Sequence, residues 1–232
     1  MKAVFDHAEP VANRLVTFWF RPEKPVRYVA GQFTELYLPH TADARGERRW
    51  FTLSSSPTEP LLAITTRFAA DNERHSSFKR ELARLQPGTE VVLAEPMGDF
   101  VLPKDTSIPL LFVAAGAGIT PVRSMAKYLA DSGEKRHAQL LYAVSRAEDL
   151  AFADIFGAAG IQLTPLVKTQ PAAHGGGALT SKRILQHIGG AAPYVYLSGP
   201  EIMVESLFRE LRAVGIPGER LVVDYFHGYG SV

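Results

Sequence analysis

The spacing of apolar residues changes once along this chain, in the short polar stretch between Pro103 and Pro109. Before it, short runs of β-forming residues alternate with proline and glycine. Leu15–Phe20, Phe33–Leu38, Leu61–Thr66 and Val91–Ala94 read as strands, punctuated by Pro22, Gly31, Pro39, Pro57, Pro87 and Gly98. Short strands with turn signals at this spacing predict a small antiparallel barrel or sandwich. One helix interrupts them, where Ser76 or Ser77 can cap a segment with Phe78, Leu82 and Leu85 on one side. After the stretch, Leu110–Ala115 is continuously apolar, as a strand covered on both faces must be. A helix with Val122, Met125, Ala126 and Leu129 on one stripe follows. Then come strand Gln139–Val144, helix Asp149–Phe156, strand Ile161–Val167, helix Ser181–Ile188, strand Tyr194–Leu197, helix Glu201–Val214 and strand Leu221–Val223. Strands alternating with helices predict βαβ units and a parallel sheet. Two domains are expected, at residues 1–105 and 106–232, with Gln170–Gly177 as a flexible loop in the second.

Composition narrows the chemistry. The chain has no cysteine, which excludes disulfides, a thiolate-held iron–sulfur cluster and a cysteine nucleophile. Its 25 basic and 24 acidic residues balance, so nothing general draws it to nucleic acid or anionic lipid. Seven histidines are scattered without metal-ligand spacing. The first residues, Met1 to His7, do not read as a signal peptide, and the longest apolar run, Ile108–Ile119, is too short to span a bilayer. A cytoplasmic location is the expectation.

Three segments carry chemistry. Gly116-Ala117-Gly118-Ile119-Thr120-Pro121 follows the first buried strand. Its glycines admit a close phosphate, Thr120 suits an N-cap, Pro121 suits the first helical position, and the helix N-terminus favours an anion. The same residues would also serve as a ligand-free strand–helix turn. Ser198-Gly199-Pro200, after strand Tyr194–Leu197, offers a second small-residue turn at a strand's carboxyl end, where open α/β sheets bind ligands, although by itself it reads more readily as an ordinary βα loop. Arg49-Trp50-Phe51-Thr52-Leu53-Ser54-Ser55-Ser56 combines a phosphate-binding side chain, aromatics and hydroxyls, although the residues alone read more readily as a mixed surface strand.

In order and placement, these segments resemble the ferredoxin–NADP+ reductase superfamily over almost the whole chain. That family's flavin motif, Arg-x-Tyr-(Ser/Thr)-x-x-Ser, stands here as Arg49-x-Phe51-Thr52-x-x-Ser55. Ala30-Gly31-Gln32-Phe33 and Pro96-Met97-Gly98-Asp99-Phe100 match two further family segments, and Gly116–Pro121 matches its dinucleotide loop. Ser198 stands where the family usually has cysteine, and Asp224-Tyr225-Phe226 where it has Glu-x-aromatic.

The resemblance implies a six-stranded-type antiparallel barrel for flavin, followed by a five-stranded parallel α/β domain for NAD(P). Arg49 would contact the flavin phosphate, Trp50 would sit beside it, Phe51 would pack on the ring system, and Thr52 would approach its N5 atom. Thr65, Thr66 and Arg67 would line the flavin strand. Ser76 and Ser77 would form the second phosphate turn, although Glu73 replaces its usual glycine. FAD is expected, with FMN the alternative. Gly116, Gly118, Thr120 and Pro121, with Gly199, Pro200 and Met203, would shape the nucleotide site. Ser145 and Arg146, with Lys168, would favour NADP(H) over NAD(H) through the 2′-phosphate. Ser198 and Asp224 would join Thr52 at the reacting centre, and Phe226 or Tyr229 would cover a ring.

The implied activity is hydride transfer from NADPH to flavin, with electrons passed to a separate carrier such as ferredoxin or flavodoxin. A basic edge at Arg45, Arg48 and Arg49 could steer an acidic carrier. The alternatives are a reductase component of an oxygenase system, a general flavin or dye reductase, and a non-catalytic flavin-binding regulator.

Overall fold

A computed structural model describes residues 1–39, 46–68, 76–171, 176–189 and 192–226. Its first half contains β1 (Lys2–Ala12), β2 (Leu15–Pro22), β3 (Phe33–Tyr37), β4 (Arg48–Thr52), β5 (Leu62–Arg67) and β6 (Glu90–Leu93). These pair antiparallel in the order β4-β3-β6-β1-β2-β5. Leu53 bridges Ile64, and Ser54 N–H donates to Ala63 O at 2.8 Å, so the two edge strands meet and the sheet closes into a barrel. Phe5, Phe18, Phe20, Leu36, Leu53, Ile64 and Leu93 fill it. Helix α1 (Ser77–Arg84) adds Phe78 and Leu82 to the same core, and Ser76 caps it by accepting from Lys79 N–H at 3.3 Å.

The second half is a parallel sheet of β7 (Leu110–Ala115), β8 (Ala138–Val144), β9 (Gln162–Val167), β10 (Tyr194–Pro200) and β11 (Leu221–Phe226). Its order, β11-β10-β7-β8-β9, reverses direction between β7 and β10. That gap is the topological switch point, where doubly wound sheets open a ligand crevice. One core contains Phe112, Met125, Tyr142, Phe156 and Tyr196, and the other contains Val113, Leu141, Ile184, Leu197 and Leu207. Helices α2 (Ile119–Ser132), α3 (Ala153–Ala158), α4 (Ser181–Ile188) and α5 (Glu201–Ala213) connect the strands.

Several boundaries differ from the sequence expectation. Strand β1, the longest in the barrel, is an addition: only Ala3 and Phe5 of its residues are buried, and Asp6, His7, Glu9 and Pro10 erase the alternation. Helix α2 begins at Ile119, after a 3₁₀ turn over Gly116–Gly118. Thr120 therefore lies inside it and does not cap it; its hydroxyl donates back to Ala117 O at 3.0 Å. The expected helix from Asp149 to Phe156 splits into a 3₁₀ turn (Ala147–Asp149) and α3, because Phe152 adopts a left-handed φ of 64° between them. Ser198-Gly199-Pro200 is not a turn. It prolongs β10 in register with Asp224-Tyr225-Phe226 of β11.

Candidate active site

The turn Gly116–Gly118 touches β5 of the barrel and also β7, β8, β10 and β11 of the parallel sheet. It therefore sits where the two halves meet at the switch point. The sequence puts it there by ending an apolar strand with two glycines of different use. Gly116 has φ +53° and faces open space, so its backbone is accessible from the crevice. Gly118 lies against β10: a Cβ there would stand 2.2 Å from Ser198 O. Tyr142 reaches the turn from below, its hydroxyl donating to Gly116 O at 3.3 Å. Gly199 packs its α-carbon face against Met203 and Ala115. The residues fit a dinucleotide, since an exposed glycine backbone at positive φ precedes a fourteen-residue helix whose positive end faces the crevice.

On the barrel side, Arg49, Phe51, Ser76 and Ser77 converge around Phe78. The Arg49 guanidinium lies 5.3 Å from the Phe78 ring centre, and the Phe51 ring lies 5.8 Å from it. Arg49 also donates to Gly46 O at 3.0 Å and to Arg48 O at 2.7 Å. A cationic side chain beside the capped N-terminus of α1 is a set of donors suited to phosphate. Trp50 points to the opposite face and is 53% exposed, edge-on to Phe33 at 5.4 Å. Thr52 is buried at the end of β4. Thr65 is turned into the barrel wall, where Thr17, Thr65 and Ser54 form a chain of hydroxyls at 2.8 Å steps. Thr66 is buried next to it, and Arg67 is exposed.

Ser55 is drawn into the junction between the halves. Its hydroxyl accepts from Ala63 N–H at 2.9 Å and lies 2.9 Å from the Tyr28 hydroxyl, while its carbonyl accepts from Ser124. Sequence reasoning missed Tyr28 and Ser124, and it missed Arg123 and Glu59, an ion pair that crosses the same junction. Arg123 left one visible trace, a charge between buried Val122 and Ser124. Tyr28 and Glu59 left none.

At the far side of the crevice, Ser198 Oγ donates to Asp224 Oδ2 at 3.5 Å across the β10–β11 pair. Burial pushes the Asp224 carboxyl up from 3.8 to about 6, and the Ser198 hydroxyl draws it part of the way back. The folded chain thus holds this proton more tightly than the unfolded chain. The resulting stability is complete below pH 3.8 and is lost as pH rises through about 6. Above that the fold carries the cost of a buried carboxylate, at most about 3 kcal/mol. Asp224→Asn is expected to raise the melting temperature by up to about 10 °C at pH 8 and to leave it nearly unchanged at pH 4. Equal shifts at the two pH values, read by scanning fluorimetry, would refute this.

Ser145 and Arg146 follow β8 and are exposed, with Arg146 Nη1 3.8 Å from Glu148. Lys168 is exposed after β9. Tyr229 and the side chain of Phe226 lie outside the described residues. Among the described residues no cluster of histidine and acidic groups could hold a metal, and no helix is long and apolar enough to cross a membrane.

A closed antiparallel barrel joined to a doubly wound parallel sheet, with a glycine turn between them, defines a two-module class of fold. Residues 112–208 match the model of the oxidoreductase NAD-binding domain family, and the whole chain has the fold of ferredoxin–NADP+ reductases. It superposes on the FAD/NAD-binding domain of nitric oxide dioxygenase from Vibrio cholerae with a TM-score of 0.82 and 21% identity, covering 97% of this chain and 98% of that one. It is 28% identical to ferredoxin–NADP reductase B of Sorangium cellulosum over 94% of this chain and 98% of that protein. It is 25% identical to the reductase component of propane 2-monooxygenase of Rhodococcus jostii over 94% of this chain. The match spans 61% of that protein's length.

Proposed function

We propose that this chain is an NAD(P)H oxidoreductase that binds FAD on residues 1–105 and NADPH on residues 106–232, and delivers electrons to a separate protein. The observation that carries this reading is the Gly116–Gly118 turn, which brings the barrel strand β5 against the carboxyl ends of the parallel strands. A flavin on the barrel and a nicotinamide at the switch point then meet across one crevice, and proximity is the main catalytic device. The names of the related proteins, a ferredoxin–NADP reductase and an oxygenase reductase component, support the reaction class.

When bound, the flavin supplies an N5 atom that accepts hydride and a ring system that releases electrons singly or in pairs. The residues of this chain do the rest. Arg49 and the N-terminus of α1, with Ser76 and Ser77, hold phosphate. Phe51 packs on the ring, and Thr52 offers its hydroxyl at the end of β4. Gly116 admits the dinucleotide phosphates, and Gly118 keeps the turn against β10. Asp224 accepts from Ser198 Oγ at Oδ2 and gains or loses its proton near pH 6, so a step that depends on it changes there. These 232 residues have no thiolate, so an iron–sulfur acceptor would be a different protein or segment.

Stopped-flow mixing with NADPH tests the reading: a yellow, FAD-loaded protein should bleach and then recolour when ferredoxin or flavodoxin is added. A colourless protein that neither takes up FAD nor oxidises NAD(P)H would overturn it. The coenzyme preference has its own test. Arg146→Ala should reduce the preference for NADPH over NADH about tenfold, the scale of one charge-assisted phosphate contact. An unchanged ratio of kcat/KM values would remove Arg146 from the site.

The oxygenase reading is favoured by one observation: the reductase component of propane 2-monooxygenase aligns with 94% of this chain. Under it the acceptor would be an oxygenase-linked carrier, and NADH would be the tighter donor.

A further inference from the structure

We propose that Arg123 is a positioning residue that sets the reach between the two cofactor sites. The inference rests on the reading of the crevice as a hydride-transfer site. Arg123 lies on α2, five residues after Gly118, in the helix that continues from the dinucleotide turn. Its targets lie in the loop that continues from β4, two to seven residues after Thr52. Nη1 donates to Ser54 O at 3.0 Å, and Nη2 donates to Glu59 Oε1 at 2.9 Å. Nη1 also pairs with Glu59 Oε2, which in turn accepts from Ser56 N–H at 2.7 Å. One guanidinium fork thus gathers both ends of the Ser54–Glu59 loop. The next residue completes the seam: Ser124 donates to Ser55 O, and its hydroxyl accepts from Gly31 N–H at 3.3 Å.

The rings around the guanidinium restrict it further. Trp19 of the barrel lies 5.5 Å from its carbon and Phe152 of the other half lies 5.8 Å from it. Both favour a cation between them. Phe152 is the one non-glycine residue at positive φ among the described residues. A bulky residue held there is strained, so its neighbours must hold it in place.

Stability alone is a poor account of this arrangement. The Arg123 and Glu59 side chains are 7% and 12% exposed, and a buried ion pair recovers little more than its own desolvation. An apolar contact of the same size would hold the halves together as well. What the fork and the two rings add is direction: they define one angle between the loop behind Thr52 and the helix behind Gly118. Hydride transfer depends steeply on that angle, since a misplacement of about 1 Å can cost on the order of 10²-fold in rate.

The absence of cysteine makes the test direct. Glu90→Cys on the barrel and Lys182→Cys on α4 introduce two unique spin-label sites, and pulsed electron paramagnetic resonance reads the distance between them with or without FAD. Arg123→Met is expected to broaden that distribution. It should also slow flavin reduction at saturating NADPH by on the order of 10²-fold, with FAD content and half-saturation nearly unchanged. Arg123→Lys, which keeps charge but not the fork, should fall between the two.

Glu59→Gln preserves shape and carries the same test if Arg123→Met does not fold. Wild-type distances and wild-type reduction rates in these variants would overturn the proposal, as would a rate loss that merely follows FAD content. If the wild-type protein fails to reduce flavin at all, the functional reading falls. The distance measurement still decides whether Arg123 fixes the halves.

Discussion

Gly118→Ala is expected to lower NADPH-driven flavin reduction by on the order of 10²-fold while the barrel keeps its flavin. The new methyl carbon would lie 2.2 Å from Ser198 O, 2.5 Å from Ser198 C and 2.7 Å from Gly199 Cα. All three are backbone atoms of a strand paired on both sides, so no rotamer change relieves the clash. The turn must lift from β10, and the crevice widens where the nicotinamide would meet the flavin. Gly118 has ordinary helical φ, −61°, so alanine adds no backbone strain of its own. Gly133→Ala is the control, since that helix-capping glycine has φ +72° with open space around it. It should cost about 1 kcal/mol of stability and leave the reduction rate alone. Stopped-flow reduction of the two flavin-loaded variants checks both, and an unaltered rate in Gly118→Ala would dissociate the turn from the reaction.

Gly31→Ala should lower the melting temperature by about 10 °C. Two costs combine there. The position has φ +100°, and a Cβ would stand 2.0 Å from Phe100 O and 2.5 Å from the Met125 methyl group. Methionine can move aside, but the Phe100 carbonyl cannot. Strain and overpacking together amount to about 3–5 kcal/mol, at about 2–4 °C per kcal/mol for a chain of this size. Gly88→Ala, at φ +93° with no neighbour within 4 Å, measures the strain alone. If both variants melt alike, the close approach of Gly31 to Phe100 contributes nothing.

The alternating half of the fold was almost fully legible because its central strands are short apolar runs followed by helix stripes. Leu110–Ala115 and Ala138–Val144 announce themselves. The barrel was less legible. β1 pairs with both β2 and β6 yet buries little more than Ala3 and Phe5, so its identity comes from those pairings and not from its own pattern. The turn at Gly116 and the cluster at Arg49 could be read from local residue types, since phosphate chemistry needs glycine, a helix start and arginine close together. The junction could not. Ser54, Ser55 and Ser56 look like hydroxyls offered to a ligand, but Thr65, Tyr28, Thr58 and Glu59 engage them. Arg123 meets Glu59 across sixty-four positions of sequence, a pairing no local pattern encodes. The left-handed turn at Phe152 escaped for the same reason: its ring is held by a distant cation, not by local preference.

The way the two halves share apolar residues bears on how such a protein can be rebuilt. Leu15, Ala30 and Phe100 arise from the barrel but belong to the core that contains Phe112, Met125 and Tyr196, and the Phe100 ring meets Tyr196 edge-on at 5.1 Å. A cut at the linker would leave a greasy scar on each fragment, and neither piece should remain monodisperse when produced alone. Recombination with a sister protein to exchange donor preference would therefore need to carry those three side chains along with the transplanted half. The seam, more than the linker, is the unit of inheritance.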